Sequence, residues 1–351
     1  MMIGIHDSPG SYSDRWIEWC LQREVPFKRL DCLDSDIVPQ CAGLDAVLWH
    51  WTLVSLHEPL VARQILMALE QSGLLIFPNA ATCWHYDDKV GQKYLLESVG
   101  APLIPTWVFT EADQARAWVA TASWPKVFKL RCGAGSENVR LVQSRDEAAA
   151  LCRRAFGRGF PAKPGYLDDA QARLNHTQSW QDLYGKLKRV PASVVANLEF
   201  RRCAPRQQGY VCFQEFLPGN EFDTRVTVIG NRAFGVIRRN RPNDFRASGS
   251  GVAIFDPERV DRRCVKIAFQ VAEKLESQSV AFDFLLDANH EPRICEISYC
   301  SVVYSVYDCP GYWDREFGWH EGHCYPQDCI LEDVLAALAP RRYGCLTGLA
   351  Q

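Results

Sequence analysis

Two apolar runs near the C-terminal end constrain the fold of this chain more than any other feature. Ala281–Leu286 reads AFDFLL and Arg293–Ile297 reads RICEI, so each is a strand-like stretch with one acid, Asp283 or Glu296, inside it. A turn at Asp287–His290 separates them. Paired antiparallel, the two runs would set the carboxylates side by side. Burying like charges together is costly unless a cation lies between them. Mg2+ meets that condition, because it takes a few carboxylates plus phosphate oxygens. Separate pairing of each acid with an arginine, such as Arg238 or Arg246, meets it equally well.

The rest of the chain predicts a mixed α/β and α+β protein. Residues 1–80 alternate short strands (Ile3–His6, Ala46–Trp51, Leu74–Phe77) with helical patterns, as a small parallel βαβ domain does. Residues 81–156 carry a helix at about Lys89–Val99, then strands at Thr106–Phe109, Lys126–Leu130 and Val139–Leu141 with amphipathic helices among them. Residues 157–205 break into Gly/Pro turns and one polar stretch, read as an inserted connector or lid. Residues 206–340 return to strands around an amphipathic helix that carries Cys264, Ile267, Ala268, Val271 and Leu275.

Composition excludes several classes. A net charge of −3 over 351 residues gives no electrostatic reason for a nucleic-acid partner. No apolar run is long enough to span a bilayer and no basic leader is visible, so the sequence reads as cytoplasmic. The fifteen cysteines are scattered and lack CxxC pairs. Cys309, His320, His323, Cys324 and Cys329 form the densest group, and their spacing favours a packing segment over a zinc site.

Three further segments carry chemistry. Lys129 ends an apolar strand and runs into a turn containing Gly133, Gly135, Ser136 and Asn138, where backbone N–H groups could approach a polyphosphate. The turn is no Walker A loop, because no GK[ST] follows. The strand Val211–Leu217 stops at Pro218-Gly219, which either offers backbone groups to an adenine edge, with Glu221 and Asp223 beyond it for ribose hydroxyls, or is an ordinary strand–turn–strand with solvated acids. Arg238, Arg239, Arg241 and Arg246 form either a solvated basic loop or a clamp on phosphoryl oxygens.

In order, these segments resemble the ATP-grasp superfamily, nearest to the branch of the ribosomal-protein glutamate ligase and its carboxylate–amine ligase relatives. Asp88-Lys89 through Leu95-Leu96 to Gly100-Ala101-Pro102, Phe128-Lys129 with Gly133, Gln214-Glu215-Phe216-Leu217, Gly219 through Asp223 and Arg225, Asp244-Phe245-Arg246, Asp283 and Glu296 each match a family segment. The resemblance implies an ATP-grasp fold, with a βαβ domain preceding two α+β lobes that clasp ATP. It implies that Lys89 and Lys129 contact phosphates, that the Gly133–Asn138 loop covers them, and that Gln214, Glu215, Phe216 and Leu217 hold adenine. Glu221 or Asp223 takes the ribose, and Asp283 and Glu296 bind Mg2+, with Mn2+ as a substitute. The implied reaction joins a small-molecule or peptide carboxylate to an amine through an acyl phosphate, with Arg238 and Arg246 stabilising the moving charge. A kinase-type phosphotransferase and a non-catalytic ATP-binding module are the alternatives, and a homo-oligomer is left open.

The sequence departs from the family where Glu-x-Asn is usual: Ser298 stands in the place of the asparagine as a shorter oxygen ligand. Tyr304, Tyr307, Trp313, Trp319, His320 and His323 follow. Substrate recognition by this aromatic segment, whose start chain continuity keeps near the γ-phosphate, is weighed against a packing cap.

Overall fold

Four short parallel strands open the chain. In a computed structural model describing residues 1–53, 55, 57–132, 138–161, 206–241, 244–246 and 251–339, these are β1 (Ile3–His6), β2 (Phe27–Leu30), β3 (Ala46–Leu48) and β4 (Leu75–Phe77). They lie in the order β2-β1-β3-β4, joined by α1 (Tyr12–Gln22), α2 (Ile37–Gln40) and α3 (Glu58–Gln71), with α4 (Ala80–Cys83) following. β1 and β3 are buried at every residue, as central parallel strands covered on both faces must be. β2 has no counterpart among the expected strands, because its Phe-Lys-Arg-Leu carries no apolar run. As an edge strand it exposes both basic side chains.

The next unit is an antiparallel sheet. After α5 (Lys89–Ser98) come β5 (Thr106–Phe109), α6 (Ala112–Thr121), β6 (Lys126–Lys129), β7 (Val139–Val142), α7 (Arg145–Phe156) and β8 (Val211–Glu215). The strand order β5-β8-β6-β7 inserts β8 between two strands that precede it by about a hundred residues. α6 and α7 bury Ala115, Val119, Ala148, Leu151 and Ala155 against Phe128 and Phe213. Of the expected connector, residues 162–205 lie outside the described residues.

The largest sheet contains β9 (Phe222–Ile229), β10 (Arg232–Arg239), β11 (Ala253–Ile254), β12 (Ser279–Leu286) and β13 (Pro292–Ser298), with α8 (Arg262–Lys274) between β11 and β12. α9 (Tyr304–Tyr307), β14 (Gly311–Trp313), β15 (Trp319–Glu321) and α10 (Pro326–Leu338) complete the described chain. The strands run β13-β12-β9-β10-β14-β15, with β11 paired to β10. α8 covers one face with Cys264, Val265, Ala268, Val271 and Ala272. A second core joins α10 and α1 to Ile229 and Phe234 of the sheet. Gly230 turns the β9–β10 hairpin at φ +55, and a Cβ there would run into the Asp333 carboxylate of α10, so both the backbone and the space favour glycine. No described helix is long and apolar enough to cross a membrane.

Three histidines are buried within this framework: His6 on β1, His50 just after β3 and His85 just before α5. Burial pushes His50 down to about 3 and His85 down to about 4 from an ordinary value of 6.5. Between about pH 4 and 6.5 the unfolded chain therefore binds protons that the folded chain refuses, so stability falls as pH drops through that window. Urea midpoints should drop between pH 7 and pH 5, and a double His50→Phe, His85→Phe variant should show a smaller drop. An equal drop in both proteins would remove these histidines as the cause.

Candidate active site

α5 is capped by Asp88, whose carboxylate accepts from the Gly91 backbone N–H at 2.8 Å and also takes the Arg131 guanidinium. The helix presents Lys89, Gln92, Lys93 and Leu96 at spacings of three and four residues, so all lie on one face. That face forms one wall of a narrow cleft. Lys129 at the end of β6, with Cys212 and Gln214 on β8, forms the second wall, and Cys295 and Glu296 on β13 form the third. Leu103 and Thr106 complete the lining.

The third wall is shaped by an irregularity. β12 and β13 pair with Asp283 opposite Glu296, then shift register so that Phe284 faces Ile294. Cys295 is the extra residue of this β-bulge. Its carbonyl accepts from Lys129 Nζ and from Gln214 Nε2, both at 3.3 Å. Gln214 also donates to Thr106 Oγ1 at 3.1 Å. Across the cleft Lys89 Nζ lies 3.1 Å from Glu296 Oε1. Burial works against the Lys89 charge, but Glu296 and Asp87 outweigh it and raise the ammonium above the usual lysine range.

Asp283 is in different company. Its carboxylate accepts from Arg225 Nε at 2.7 Å and Nη2 at 2.9 Å, and Arg238 Nη2 is 2.9 Å away. The same Arg238 holds Asp223 through Nε at 2.8 Å. Strand register dictates this group of four, since Arg225 pairs with Asp283 across β9–β12 and Arg238 with Asp223 across β9–β10. Burial opposes charge on both acids. The two guanidiniums nonetheless hold Asp283 well below the usual carboxylate range, whereas burial prevails at Asp223 and raises it.

Of the residues expected from sequence, Lys89, Lys129, Gln214 and Glu296 meet at the cleft. Glu215 turns to Lys126 at 3.0 Å, Phe216 packs edge-on against Phe245, the Leu217 carbonyl accepts from Asn220, and Glu221 is exposed. Arg246 pairs with Asp244 at 2.6 Å. Ser298 Oγ donates to the Cys300 carbonyl at 3.0 Å. Gly133, Gly135 and Ser136 lie outside the described residues. Gln92, Lys93, Thr106, Cys212 and Cys295 line the cleft without having been expected. The spacing of Gln92 and Lys93 from Lys89 on one helix face is the signal that could have found them.

Glu296 is, among the described residues, the one carboxylate in the cleft lining that could meet magnesium, and its Oε1 is paired with Lys89 Nζ at 3.1 Å, so that ammonium would have to move aside. Asp283 is already matched by two arginines and would have to exchange one of them to take a metal. The Cys/His group diverges. His320 bonds Asp314 at 2.6 Å, His323 lies 2.7 Å from the Tyr307 carbonyl, and the buried Cys309 faces the Gly235 and Ser305 carbonyls. Among the described residues no three His, Cys, Asp or Glu side chains gather as a metal site. The β14–β15 hairpin joins β10 at Ala233, five residues from Arg238 and so about 17 Å along the strand. Its Trp319 packs on Trp313 and its His320 stacks on Tyr312. The hairpin thus sits as a cap at the far end of β10 from the arginines.

A cleft between an antiparallel four-stranded sheet and a larger sheet, with Lys89 and Lys129 from the first unit facing Glu296 of the large sheet, is the arrangement of the ATP-grasp fold, and the solved structures agree. A RimK domain ATP-grasp protein from Sphaerobacter thermophilus aligns over 95% of this chain and 100% of its own, with a TM-score of 0.56 and 16% identity. The D-cycloserine synthetase DcsG covers 95% and 99% (TM-score 0.56, 14% identity), and D-alanine–D-alanine ligase from Bacillus anthracis 97% and 99% (0.56, 14%). More particularly, residues 203–305 match the RimK-like ATP-grasp domain. No curated protein matches the chain.

The ion-paired group of four makes Asp283 a structural residue as well as a candidate ligand. Asp283→Asn would leave Arg225 partly buried without its carboxylate, a loss that costs about 3 kcal/mol or more. Urea denaturation without nucleotide should show that loss. An unchanged midpoint would confine Asp283 to ligand binding.

Proposed function

We propose that this protein is an ATP-dependent carboxylate–amine ligase. The observation that carries the reading is the meeting of Lys89, Lys129 and Glu296, drawn from three separate elements, on one cleft between two sheets. Two ammonium groups and an acid that can hold a divalent cation are what a polyphosphate needs, because phosphoryl transfer is catalysed chiefly by positioning and charge neutralisation. The structural relatives include proteins named as ligases and a synthetase, among them PsnB, solved with a minimal precursor, Mg and ADP.

In this reading Lys89 and Lys129 take the α- and β-phosphates and the 133–138 loop closes over the γ-phosphate. Gln214 reads the base from the cleft wall, with Glu215, Phe216 and Leu217 beside it, and Glu221 or Asp223 takes the ribose. Glu296 holds Mg2+, joined by Asp283 and Ser298 if each gives up a present partner. Bound Mg2+ supplies charge neutralisation at the phosphate oxygens. The substrate carboxylate oxygen attacks the γ-phosphorus and ADP leaves. The amine nitrogen then attacks the acyl carbon, phosphate departs with the C–O bonding pair, and the nitrogen loses a proton. Arg238 and Arg246 stabilise the transferring charge. The acid and amine are a small molecule or a peptide, and the setting is the cytoplasm.

A nucleotide-binding module without turnover is the second reading. It is favoured by the arginines on Asp283 and by the hydroxyl of Ser298 pointing its proton at Cys300. Incubation with Mg-ATP and pools of acids and amines separates the readings. The ligase releases ADP only when both a carboxylate and an amine are present, and mass spectrometry finds their condensation product. A phosphorylated alcohol with no condensation product would instead make the protein a phosphotransferase, and binding without ADP release would make it a module. Lys129→Ala should weaken a non-hydrolysable ATP analogue by about tenfold or more, since a charge-assisted contact is lost. Unchanged affinity would put the phosphates elsewhere.

A further inference from the structure

β13 ends the large sheet, so the N–H and C=O groups on its outer side have no strand beside them. Buried backbone groups must still be paired. At Ile294 the extended segment before β5 does this: Ile294 N–H donates to the Pro102 carbonyl at 2.8 Å, and Ile104 N–H donates to the Ile294 carbonyl at 3.0 Å. Three residues further on, the partner is a side chain. Gln92 Nε2 donates to the Ile297 carbonyl at 2.8 Å, and the Ile297 N–H donates to Gln92 Oε1 at 3.3 Å. The second amide proton goes to the His85 carbonyl at 3.2 Å. Gln92 is only 4% exposed, so water offers no substitute partner.

A carboxamide carries an N–H donor and a C=O acceptor on one carbon and in one plane, as a peptide group does. We propose that Gln92 is a positioning residue of the nucleotide site, standing in for a missing neighbour strand on β13 and so fixing Glu296 against Lys89. Ile297 lies between Glu296 and Ser298, the two candidate magnesium ligands of that strand. Lys89 lies one turn before Gln92 on α5. The amide therefore joins the helix that carries a phosphate lysine to the strand that carries the metal acid, at the point where the two must keep a set distance. A glutamate here would turn an acceptor toward the Ile297 carbonyl, and an asparagine would fall one methylene short.

This inference rests on the nucleotide-binding reading, and its test keeps the two apart. Gln92→Met keeps the length and helix preference of the side chain while removing the amide. Hydrogen exchange without nucleotide should then speed up about tenfold or more in peptides covering 292–298, with the interior strands β9 and β12 unchanged. The second measurement titrates ADP with and without Mg2+. Gln92→Met and Gln92→Glu should raise the Mg2+ concentration needed for half-maximal binding about tenfold, and leave metal-free ADP affinity near that of wild type. A residue that only supports the fold would weaken both alike. Unchanged exchange overturns the splint, and changed exchange with a wild-type Mg2+ requirement overturns the positioning role. A wild-type protein that binds no Mg-ADP overturns the nucleotide reading instead, and with it the site that Gln92 is said to position.

Discussion

The cleft depends on a single extra residue in β13. Cys295 has no opposite number on β12, and its carbonyl is thereby available to both Lys129 and Gln214, which belong to the other sheet. The same irregularity puts Ile294 and Ile297, rather than residues two or four apart, on the outer edge, where the segment before β5 and Gln92 of α5 meet them. One bulge thus orders three walls. A strand of strict period two would have met its neighbour completely and left the two lobes without a shared hydrogen-bond acceptor.

The charges behind the cleft follow a second rule. Asp223, Asp283, Arg225 and Arg238 lie across three neighbouring strands, and each acid faces a guanidinium in register. Carboxylates and guanidiniums drawn together out of water are tolerable only as a closed set. This network is neutral by itself, and Lys89 with Glu296 makes a second neutral pair. Lys129 adds a positive charge to the cleft, its ammonium bonded to the Cys295 carbonyl, so a polyanion entering would meet one net positive group there and bring more negative charge than the wall offsets.

Much of this was legible in the residues. The apolar runs around Asp283 and Glu296, the capped helix beginning at Lys89 and the strand ending in Lys129 all have strong local signals, and all fold as their patterns imply. β2 was hidden because an edge strand may expose Lys28 and Arg29 and so shows no apolar pattern. The arginine partners of Asp283 were only half legible: sequence offered Arg238 as one choice, while Arg225 is opposite Asp283 solely through the β9–β12 register. The place of Gln92 on the Lys89 face of α5 was within reach of the sequence, but its role was illegible for another reason. Its function comes from the outer edge of a strand two hundred residues away, and no local pattern reports which strand will end a sheet. Chain continuity placed only the start of the aromatic segment after Ser298 near the γ-phosphate, and it could not report that Trp313, later in the segment, pairs with Ala233 of β10.

That hairpin has a bearing on how the protein behaves in a crowd. An open sheet invites other chains to extend it, because each free strand edge is a ready template for another backbone. Here the large sheet terminates at β15, a strand of three residues with exposed His320 and Glu321. A recruit would find too few hydrogen bonds to hold it and a charged rim to cross. At the opposite edge β13 is already covered. The hairpin thus leaves this edge of the sheet with little for a second copy of the chain to extend.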